Sequence, residues 1–314
     1  MNDRTPQLSI VICTHNRAED ALECCQALLS APDAAHTELL VVDNCSRHED
    51  ARRLSDGLAG TGAQLLLEPR AGLSHARNHG LARARGEWIA YLDDDALPFD
   101  DWTARALSLL QGAPEVLALI GGAVLPRWPR TIAADAVAPE HLGERWRVLL
   151  SLLETEQRPR GSQVPNIVGC NFLVRRRALR ELGGFATELG RTPERLLGGE
   201  EIAIARAIAA RGERIEFDSG LRVFHKISNE RLHTSWIKKR AAAEGELLWK
   251  CAPSALPKVA MSIPFLALAA HLRGLGAGTP SDYDHHVRLW HNLGFLESAL
   301  GALTTKPSRS TPCN

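Results

Sequence analysis

Residues Gly86–Pro98 read GEWIAYLDDDALP, an apolar run that ends in three consecutive aspartates. The run Trp88–Leu92 is short, apolar and bounded by polar residues, which predicts a buried β-strand. Three adjacent carboxylates at the end of such a strand repel one another and are costly unless a cation lies among them. The stretch therefore predicts a strand of a buried sheet with a charged site at its carboxyl end.

The aspartate run is the first candidate for a metal site. Because side chains alternate along a strand, Asp93 and Asp95 are expected to face one side together. Two hard oxygen ligands, completed by phosphate oxygens and water, suit Mg²⁺ or Mn²⁺. The alternative is a solvated acidic turn that caps a following helix, a role that Asp100 or Asp101 would serve as well.

The residues before this strand alternate between short apolar runs and helical patterns. The predicted strands are Leu8–Cys13, Glu38–Val42 and Gln64–Leu67, and the predicted helices are Ala18–Leu29, Glu49–Leu58 and Ser74–Ala84, the last with Ser74 as its N-cap. Strands and helices that alternate at this spacing predict an α/β fold, with a mostly parallel sheet covered by helices on both faces.

Polar residues close the first, second and fourth predicted strands. They are Thr14, Asn16, Asp43, Asn44 and the run Asp93–Asp95. In parallel sheets, ligands bind beyond the carboxyl ends of the strands, so these side chains are expected to line one edge together. A carboxylate such as Asp43 can accept hydrogen bonds from a base or a ribose hydroxyl; the alternative is a turn-forming role.

The pattern is looser after Gly121 and Gly122. Residues Leu125–Pro165 hold five prolines and one helical pattern near Glu144–Leu153, which is typical of a loop that carries specificity or forms a lid. Farther along, the sequence predicts strands at Asn166–Val174, Arg214–Phe217 and Leu221–Phe224, helices at Arg177–Leu182 and Glu200–Ala210, and only helices from Arg231 onward.

The bulk composition excludes several classes of protein. The 314 residues include 37 Lys and Arg and 37 Asp and Glu, so no overall basic field exists to hold nucleic acid. The seven cysteines are odd in number and contain no Cys-x-x-Cys pair. This argues against a disulfide framework or a structural zinc site and favours reduced thiols in a cytoplasmic protein.

No segment of the sequence predicts a membrane span. No long apolar stretch precedes the first strand, so no signal peptide is expected. The nearest candidate, Val259–Leu272, is broken by Pro264 and is too short to cross a bilayer. It is expected to pack on the main domain; the alternative is peripheral contact of these C-terminal helices with the inner face of the membrane.

Two basic or titratable residues are candidates for the same edge. Arg77 lies in GLSHARN, at the start of the helix before the fourth strand. It can pair with Asp43, Asp93 or a phosphate, or it can be an ordinary solvated helix residue. His225 ends a short strand, and it becomes a third metal ligand if it lies near the aspartates; otherwise its role is structural.

Two adjacent carboxylates are candidates for a general base. Glu200 and Glu201 follow two glycines and begin a predicted helix. A carboxylate exposed at such a position is well placed to accept a proton from a substrate. The alternative is that both residues only complement the positive end of the helix.

Taken together, the motifs resemble the family 2 glycosyltransferases, which have the GT-A fold. SIVICTHNR, ELLVVDNCS and GLSHARNHGLARARGEWIAYLDDDALP resemble the nucleotide-binding half, while GCNFLVRRRALRELGGF, GGEEIAIARAIAARG and RVFHKI resemble the acceptor half. The resemblance implies a mostly parallel GT-A sheet flanked by helices, with a Rossmann-like nucleotide-binding half. The match runs over roughly Leu8 to Ile227, which implies a catalytic domain at residues 1–228. The sequence pattern itself predicts a helical extension at 229–303 and a disordered tail at 304–314.

The resemblance also implies a role for each candidate residue. It implies nucleotide binding by Thr14, Asn16, Arg17 and Asp43. The predicted donor-binding set is completed by Asn44, Arg77, Asp93 and Asp94. The Asp-x-Asp (DXD) motif that binds the metal and the donor diphosphate corresponds to Asp93 and Asp95, and His225 matches a histidine that ligates the metal in some relatives and is absent in others.

The acid pair departs from the family pattern. Glu200 and Glu201 occupy the place of a Glu-Asp pair whose second member commonly deprotonates the acceptor. That member is Glu201 here, and its side chain is one methylene longer than aspartate. The resemblance therefore implies Glu201 as the base and leaves Glu200 open as the alternative.

The implied reaction is a single inverting displacement that uses Mn²⁺ or Mg²⁺ and a nucleotide-sugar donor. UDP is the nucleotide expected from the resemblance, and dTDP and GDP stay open. The acceptor is unassigned among glycans, lipid-linked intermediates and natural-product intermediates. Two alternatives remain: a sugar nucleotidyltransferase, against which the absence of glycine in Cys13–Arg17 counts, and a non-catalytic sugar-nucleotide or glycan-binding module, which would not need both a metal site and Glu201.

Overall fold

The computed structural model describes residues 6–158, 164–192, 196–251, 253–256, 259–263 and 280–304. The chain divides into two compact units. The first unit comprises Met1–Trp128, Ser151–Glu194 and Gly199–Ile227, and the second comprises Pro129–Leu150, Arg195–Gly198 and Ser228–Asn314. The sequence places residues 129–150 in the catalytic domain, whereas in the structure they pack with the second unit.

The first unit is built on one β-sheet. Its strands are β1 (Leu8–Thr14), β2 (Thr37–Asn44), β3 (Gln64–Glu68), β4 (Trp88–Asp93), β5 (Ala96–Pro98), β6 (Leu117–Arg127), β7 (Asn171–Arg175) and β8 (Arg214–Lys226). Their order across the sheet is β3-β2-β1-β4-β7-β6-β8-β5. The central strands β1 and β4 are almost entirely buried, as their apolar sequences predict.

The predicted α/β sheet is confirmed, and it is mixed: among the described residues four strand pairings are parallel and three are antiparallel. The prediction holds for β3, β2, β1 and β4, which pair in parallel and are joined through helices. The later strands are not joined by simple strand–helix–strand connections. The pairs β4–β7, β6–β7 and β5–β8 are antiparallel, while β6–β8 is parallel.

The helices of the first unit are α1 (Ala18–Leu29), α2 (His48–Leu58), α3 (Leu73–Arg83), α4 (Trp102–Leu110), α6 (Arg176–Glu181) and α7 (Glu200–Ala210). The predicted bounds of α1 and α7 are confirmed. The predicted N-cap of α3 is wrong, because the helix begins at Leu73 and Gly72 caps it at a φ of 130°. The Ser74 hydroxyl instead donates to the Leu189 carbonyl oxygen at 2.7 Å.

Two strands differ from the predicted pattern. β8 is one strand, whereas the sequence predicts two, Arg214–Phe217 and Leu221–Phe224. The polar residues between them lie at a shift in the register of the β6–β8 pairing, so the strand continues through them. Asp218 Oδ1 accepts hydrogen bonds there from the backbone N–H groups of Gly220 and Leu221, at 3.0 and 2.9 Å. β7 begins at Asn171 rather than Asn166, since residues 166–170 form a loop and a turn.

Aromatic side chains fill the core beneath the centre of the sheet. Tyr91 on β4 stacks on Phe172 of β7, with ring centroids 5.2 Å apart, and meets the edge of Phe185 at 5.1 Å. All three side chains are buried. Burial of one such side chain stabilises the fold by roughly 1.5–3 kcal/mol. This cluster fixes β4 against β7 and so holds the end of β4 in place.

The second unit is helical, as predicted. It contains α5 (Glu144–Leu149), α8 (Thr234–Cys251) and α9 (Pro280–Thr304). Helices α8 and α9 pack closely: a Cβ atom on Gly245 would lie 1.9 Å from the His291 carbonyl oxygen. No helix among the described residues is long and apolar enough to cross a membrane. The predicted tail after Thr304 and most of the apolar window Val259–Leu272 lie outside the described residues.

Candidate functional site

The strand ends that the sequence places together do meet at one edge of the sheet. In the pairing register, Thr14 of β1 lies opposite Asp43 of β2, and Cys13 lies opposite Asp93 of β4. The polar residues that follow these strands are therefore neighbours in the first unit. This confirms the predicted convergence at the carboxyl ends of the parallel strands.

The aspartate run is held by hydrogen bonds from two sides. Strand β4 ends at Asp93, and Asp94 and Asp95 form a turn, so the strand alternation expected over these residues stops at Asp93. Arg17 donates from Nη1 to Asp94 Oδ1 and from Nη2 to Asp95 Oδ2, both at 2.9 Å. The Thr14 hydroxyl donates to Asp94 Oδ2 at 2.8 Å.

Burial shapes the protonation of this cluster. The side chains of Asp94 and Asp95 are only 7% and 2% exposed. Burial raises the pKa of Asp94 to about 7, and the Arg17 guanidinium acts in the opposite direction. The negative charge of Asp95 raises this pKa further. A buried carboxylate pair of this kind is stable as two anions only where cations lie close by.

His225 lies beside the same aspartate. The β5–β8 pairing sets His225 opposite Ala96, the residue after Asp95. Its Nε2 atom is 3.4 Å from Asp95 Oδ2. In octahedral coordination, neighbouring ligand atoms that each lie about 2.1 Å from the ion are about 3 Å apart. The Asp95 oxygen and the His225 nitrogen therefore suit a shared divalent cation.

The complete predicted triad of metal ligands is not preassembled. Among the described residues, no three His, Cys, Asp or Glu side chains form a group that could hold a metal ion by themselves. Asp95 and His225 are adjacent, while Asp93 Oδ1 accepts a hydrogen bond from Arg77 at 3.1 Å. Mg²⁺ and its relatives often bind to one or two carboxylates together with substrate phosphates. The Asp95 oxygen and the His225 nitrogen therefore fit an ion whose remaining ligands would be phosphate oxygens and water.

Arg77 joins both candidate acid groups. Besides Asp93, it donates from Nη1 to Glu200 Oε1 at 2.5 Å and from Nη2 to the Gly169 carbonyl oxygen at 2.7 Å. Its side chain is 2% exposed, and its guanidinium lies 5.6–5.9 Å from the ring centroids of Tyr91, Phe172 and Phe185. Of the alternatives open from sequence, the structure shows the pairing with Asp93. The contact with Glu200 was not predicted.

The two glutamates at the start of α7 have different surroundings. Glu200 is buried, and its Oε2 atom accepts no hydrogen bond from the described residues. Glu201 is half-buried, and its carboxyl carbon lies 3.5 Å from the position that a Cβ on Gly169 would take. The same Cβ would lie 3.1 Å from Arg77 Nη2. The absence of a side chain at Gly169 therefore leaves room beside the Arg77 guanidinium and the Glu201 carboxyl group. No sequence pattern predicted this role.

The remaining donor-binding candidates close the turns after β1 and β2. Asp43 Oδ1 accepts from the Ser46 backbone N–H at 3.1 Å, as its turn-forming alternative predicts. The Asn44 side chain donates to the Arg70 carbonyl at 2.6 Å and accepts from the Gly72 N–H at 2.8 Å. Asn16, at a φ of 56°, accepts from the Arg47 N–H at 2.7 Å. These residues brace the loops around the edge; their predicted contacts with a nucleotide stay predictions.

Two thiols beside the site are held in the neutral form. Burial raises the pKa of Cys13 to about 12, although the Arg77 charge lowers it somewhat. Burial likewise raises the pKa of Cys170 well above its ordinary value. Since the thiolate is the nucleophile, neither residue is suited to attack a substrate at neutral pH.

Comparison with known proteins identifies this arrangement of motifs. The family model described as Glycosyl transferase family 2 matches residues 9–183, more than half of the chain. The glucosyl-dolichyl phosphate glucuronosyltransferase of Haloferax volcanii is 26% identical over 76% of this chain and 75% of its own length. The succinoglycan biosynthesis protein ExoM of Rhizobium meliloti is 28% identical over 78% of this chain and 75% of its own length.

The fold is also found among solved structures. The mannosyltransferase PcManGT from Pyrobaculum calidifontis, solved in complex with GDP-Man and Mn²⁺, is 21% identical. The likeness has a TM-score of 0.60 and covers 96% of this chain and 88% of that protein. The mixed sheet flanked by helices is thus a GT-A-type fold.

Proposed function

Because the chain belongs to glycosyl transferase family 2 and is a glycosyltransferase, we propose that it moves a sugar from a nucleoside diphosphate sugar to an acceptor hydroxyl by a single, inverting displacement. The observation that carries the proposal is the shared edge of the sheet. There Asp93, at the end of β4, accepts a hydrogen bond from Arg77, which also donates to Glu200 at the start of α7. A donor diphosphate and an acceptor hydroxyl can thus be bound beside one another.

The proposed step needs one base and one leaving group. The base removes the proton of the acceptor hydroxyl while that oxygen forms a bond to the anomeric carbon. The bond between the anomeric carbon and the diphosphate oxygen breaks, and the nucleoside diphosphate leaves with the electron pair. Attack opposite the leaving group inverts the configuration. A positioned base contributes about 10²–10⁴-fold to such a reaction.

Glu201 is proposed as the base. Glu200 is buried, and its Oε1 atom accepts a hydrogen bond from Arg77 at 2.5 Å, so its carboxyl group is already paired with the arginine. Glu201 is the more accessible of the two and lies beside the space over Gly169. The family pattern supports the same choice, because Glu201 stands at the second position of the acid pair.

The metal is proposed to bind with the donor. Asp95 and His225 would hold it, with Asp93 and the diphosphate oxygens as further ligands. When bound, it would neutralise the negative charge that grows on the leaving diphosphate. Arg17 and Arg77 supply positive charge to the same edge whether or not the ion is present.

The donor and the acceptor are proposed by class. UDP is the expected nucleotide; GDP is supported by the GDP-Man bound to PcManGT, and dTDP is the third candidate. The Haloferax relative is named for a dolichyl phosphate substrate and the Rhizobium relative for succinoglycan biosynthesis. We therefore propose a glycan or a lipid-linked sugar as the acceptor, and peripheral contact with a membrane in the second case.

Calorimetric titration tests the donor and metal assignment. UDP, dTDP and GDP are titrated into the full chain with and without Mn²⁺ or Mg²⁺, and one of them should bind more tightly with metal. Asp95→Asn should remove that enhancement. Asp56→Asn, at a position where the side chain is 72% exposed on α2, is the matched control and should keep it. If no nucleotide shows metal-enhanced binding to the unmutated chain, the metal assignment is wrong.

A further inference from the structure

Arg17 binds Asp95, the aspartate that the proposed metal would use, together with its neighbour Asp94. Its guanidinium forms two parallel hydrogen bonds, to Asp94 Oδ1 and Asp95 Oδ2 at 2.9 Å each. The Asp95 oxygen that accepts from Arg17 is the same Oδ2 that lies 3.4 Å from His225 Nε2. The two positions that suit a cation beside Asp95 therefore compete for one oxygen atom.

We propose that Arg17 is a resident counter-cation of Asp94 and Asp95, which a metal ion displaces efficiently only when a nucleoside diphosphate arrives with it. The inference rests on the proposed function, since it assumes a donor diphosphate at this edge. Its consequence is an energetic coupling between the two ligands: the metal binds weakly alone, and the nucleotide binds tightly only with the metal.

Charge balance gives the physical reason. With Arg17 in place, the two buried carboxylates already face a cation, so a divalent ion alone adds unbalanced positive charge close to the guanidinium. Displacement of Arg17 by the ion alone breaks two charge-assisted hydrogen bonds, and no new acceptor replaces the two aspartates. A diphosphate reduces both the excess positive charge and the loss of hydrogen bonds. Its negative charge offsets the ion, and its oxygens can accept the same planar fork of N–H groups that the aspartates release.

The surroundings of Arg17 allow such a movement, in contrast with those of Arg77. The Arg17 side chain is 36% exposed and lies just before α1, whereas that of Arg77 is 2% exposed and packs among aromatic rings. A second carboxylate, Asp20, lies 3.3 Å from Arg17 Nη2 and is itself held by Lys226 at 2.7 Å. Asp20 can retain one side of the guanidinium while the aspartate pair is released.

The test measures Mn²⁺ alone before any nucleotide is added. Free Mn²⁺ is followed by electron paramagnetic resonance during titration of the unmutated chain, Arg17→Ala and Arg17→Lys. Arg17→Ala should bind Mn²⁺ alone more tightly, by a factor within the range of about 5–150-fold that is typical of coupled sites. Arg17→Lys should gain less, because its charge remains while the fork is lost.

A second measurement follows nucleotide binding, which should change in the opposite direction from the binding of Mn²⁺ alone. Titration of UDP, dTDP and GDP in the presence of Mn²⁺ should show that Arg17→Ala has lost most of the metal-dependent enhancement of nucleotide binding. Arg53→Ala, which removes an exposed arginine of α2, is the control and should match the unmutated chain in both titrations. If Arg17 had only a structural role, Arg17→Ala would weaken the binding of both Mn²⁺ and the nucleotide and would strengthen neither.

Loss of Arg17 leaves two buried carboxylates without this partner, so the variant is checked by thermal unfolding. If Arg17→Ala lowers the unfolding midpoint, Mn²⁺ alone should raise it again, and it should raise it more than in the unmutated chain. Unchanged or weaker binding of Mn²⁺ alone to Arg17→Ala overturns the proposal. This arm uses no nucleotide, so failure of the proposed donor binding, which is read on the unmutated chain, is distinguished from failure of the Arg17 assignment.

Discussion

At the scale of single residues, two arginines organise the acidic edge of the sheet in different ways. Arg77 is buried and joins Asp93 to Glu200, residues that come from β4 and α7. A planar guanidinium suits this bridge because it presents donors to several acceptors at once, which an ammonium group does less well. Arg17 is more exposed and holds the turn after β4. Of these two cations, Arg77 is fixed and Arg17 is the more accessible.

The sequence predicts which residues lie at this edge better than it predicts which of them contact one another. Strand ends and the aspartate run could be read from local pattern, since each lies within a few residues of its strand. The bond between Arg77 and Glu200 joins residues 123 positions apart, and only the tertiary fold brings them together. The same holds for His225 and Asp95, whose adjacency follows from the pairing of β5 with β8.

The first prediction concerns the base. Glu201→Gln should lower kcat and kcat/KM alike, by about 10²–10⁴-fold, and leave donor affinity near normal, because the carboxylate is needed only in the transition state. Glu201→Asp should retain more activity, since a proton acceptor remains. Steady-state kinetics and nucleotide titration measure both effects.

Glu200 supplies the contrast for that experiment. Glu200→Gln removes a charge from the Arg77 pair, and it should lower stability and activity less selectively than Glu201→Gln. If Glu200→Gln abolishes turnover in a folded protein while Glu201→Gln keeps it near normal, the base is Glu200. If both variants turn over normally, the base lies elsewhere.

At the scale of elements, periodicity predicts helices well and pairing poorly. Helices α1 and α7 have the predicted bounds because the residues that flank them mark their ends, as Gly199 and Gly212 do for α7. The polar residues Asp218–Gly220 predict a break in β8, yet their backbone hydrogen bonds are met within the strand by Asp218. Antiparallel pairing of β7 leaves no local signal at all, since the strand is buried on both faces.

The second prediction concerns the crossing of α8 and α9. Gly245→Ala should destabilise the protein by about 1–3 kcal/mol, because the added methyl would lie 1.9 Å from the His291 carbonyl oxygen and 2.7 Å from the Phe295 nitrogen. Intrinsic helix propensity alone favours alanine by about 1 kcal/mol, so the expected sign is opposite to that of propensity. Urea unfolding measures the change.

Gly57→Ala in α2 is the matched control. Its methyl would lie 2.7 Å from the terminal carbons of Leu22, which are side-chain atoms that can move aside. It should therefore cost clearly less than Gly245→Ala. Equal effects of the two substitutions would contradict the view that backbone contact at Gly245 fixes this helix pair.

At the scale of the whole molecule, equal numbers of acidic and basic residues give a net charge of zero, and stability rests on how those charges are paired. Several buried or half-buried carboxylates accept hydrogen bonds from arginines, among them Glu38, Glu68 and Asp218. For Glu38 and Asp218, burial raises the pKa, but hydrogen bonds outweigh it and the net shift is downward. Such groups hold protons more weakly in the folded state than in the unfolded state.

The last prediction is acid sensitivity that depends on Glu68. The hydrogen bond from Arg70 lowers the pKa of Glu68 from 4.5 to about 2. The unfolded chain therefore takes up the proton first, so the stabilisation is complete above about pH 5 and is lost as the pH falls towards about 2. Glu68→Gln should lower the thermal midpoint at pH 6, and the difference from the unmutated chain should shrink as the pH approaches 2. Glu188→Gln, at an exposed position, should show no such change. Parallel pH curves for the unmutated chain and Glu68→Gln would show that the Arg70 pair does not stabilise the fold.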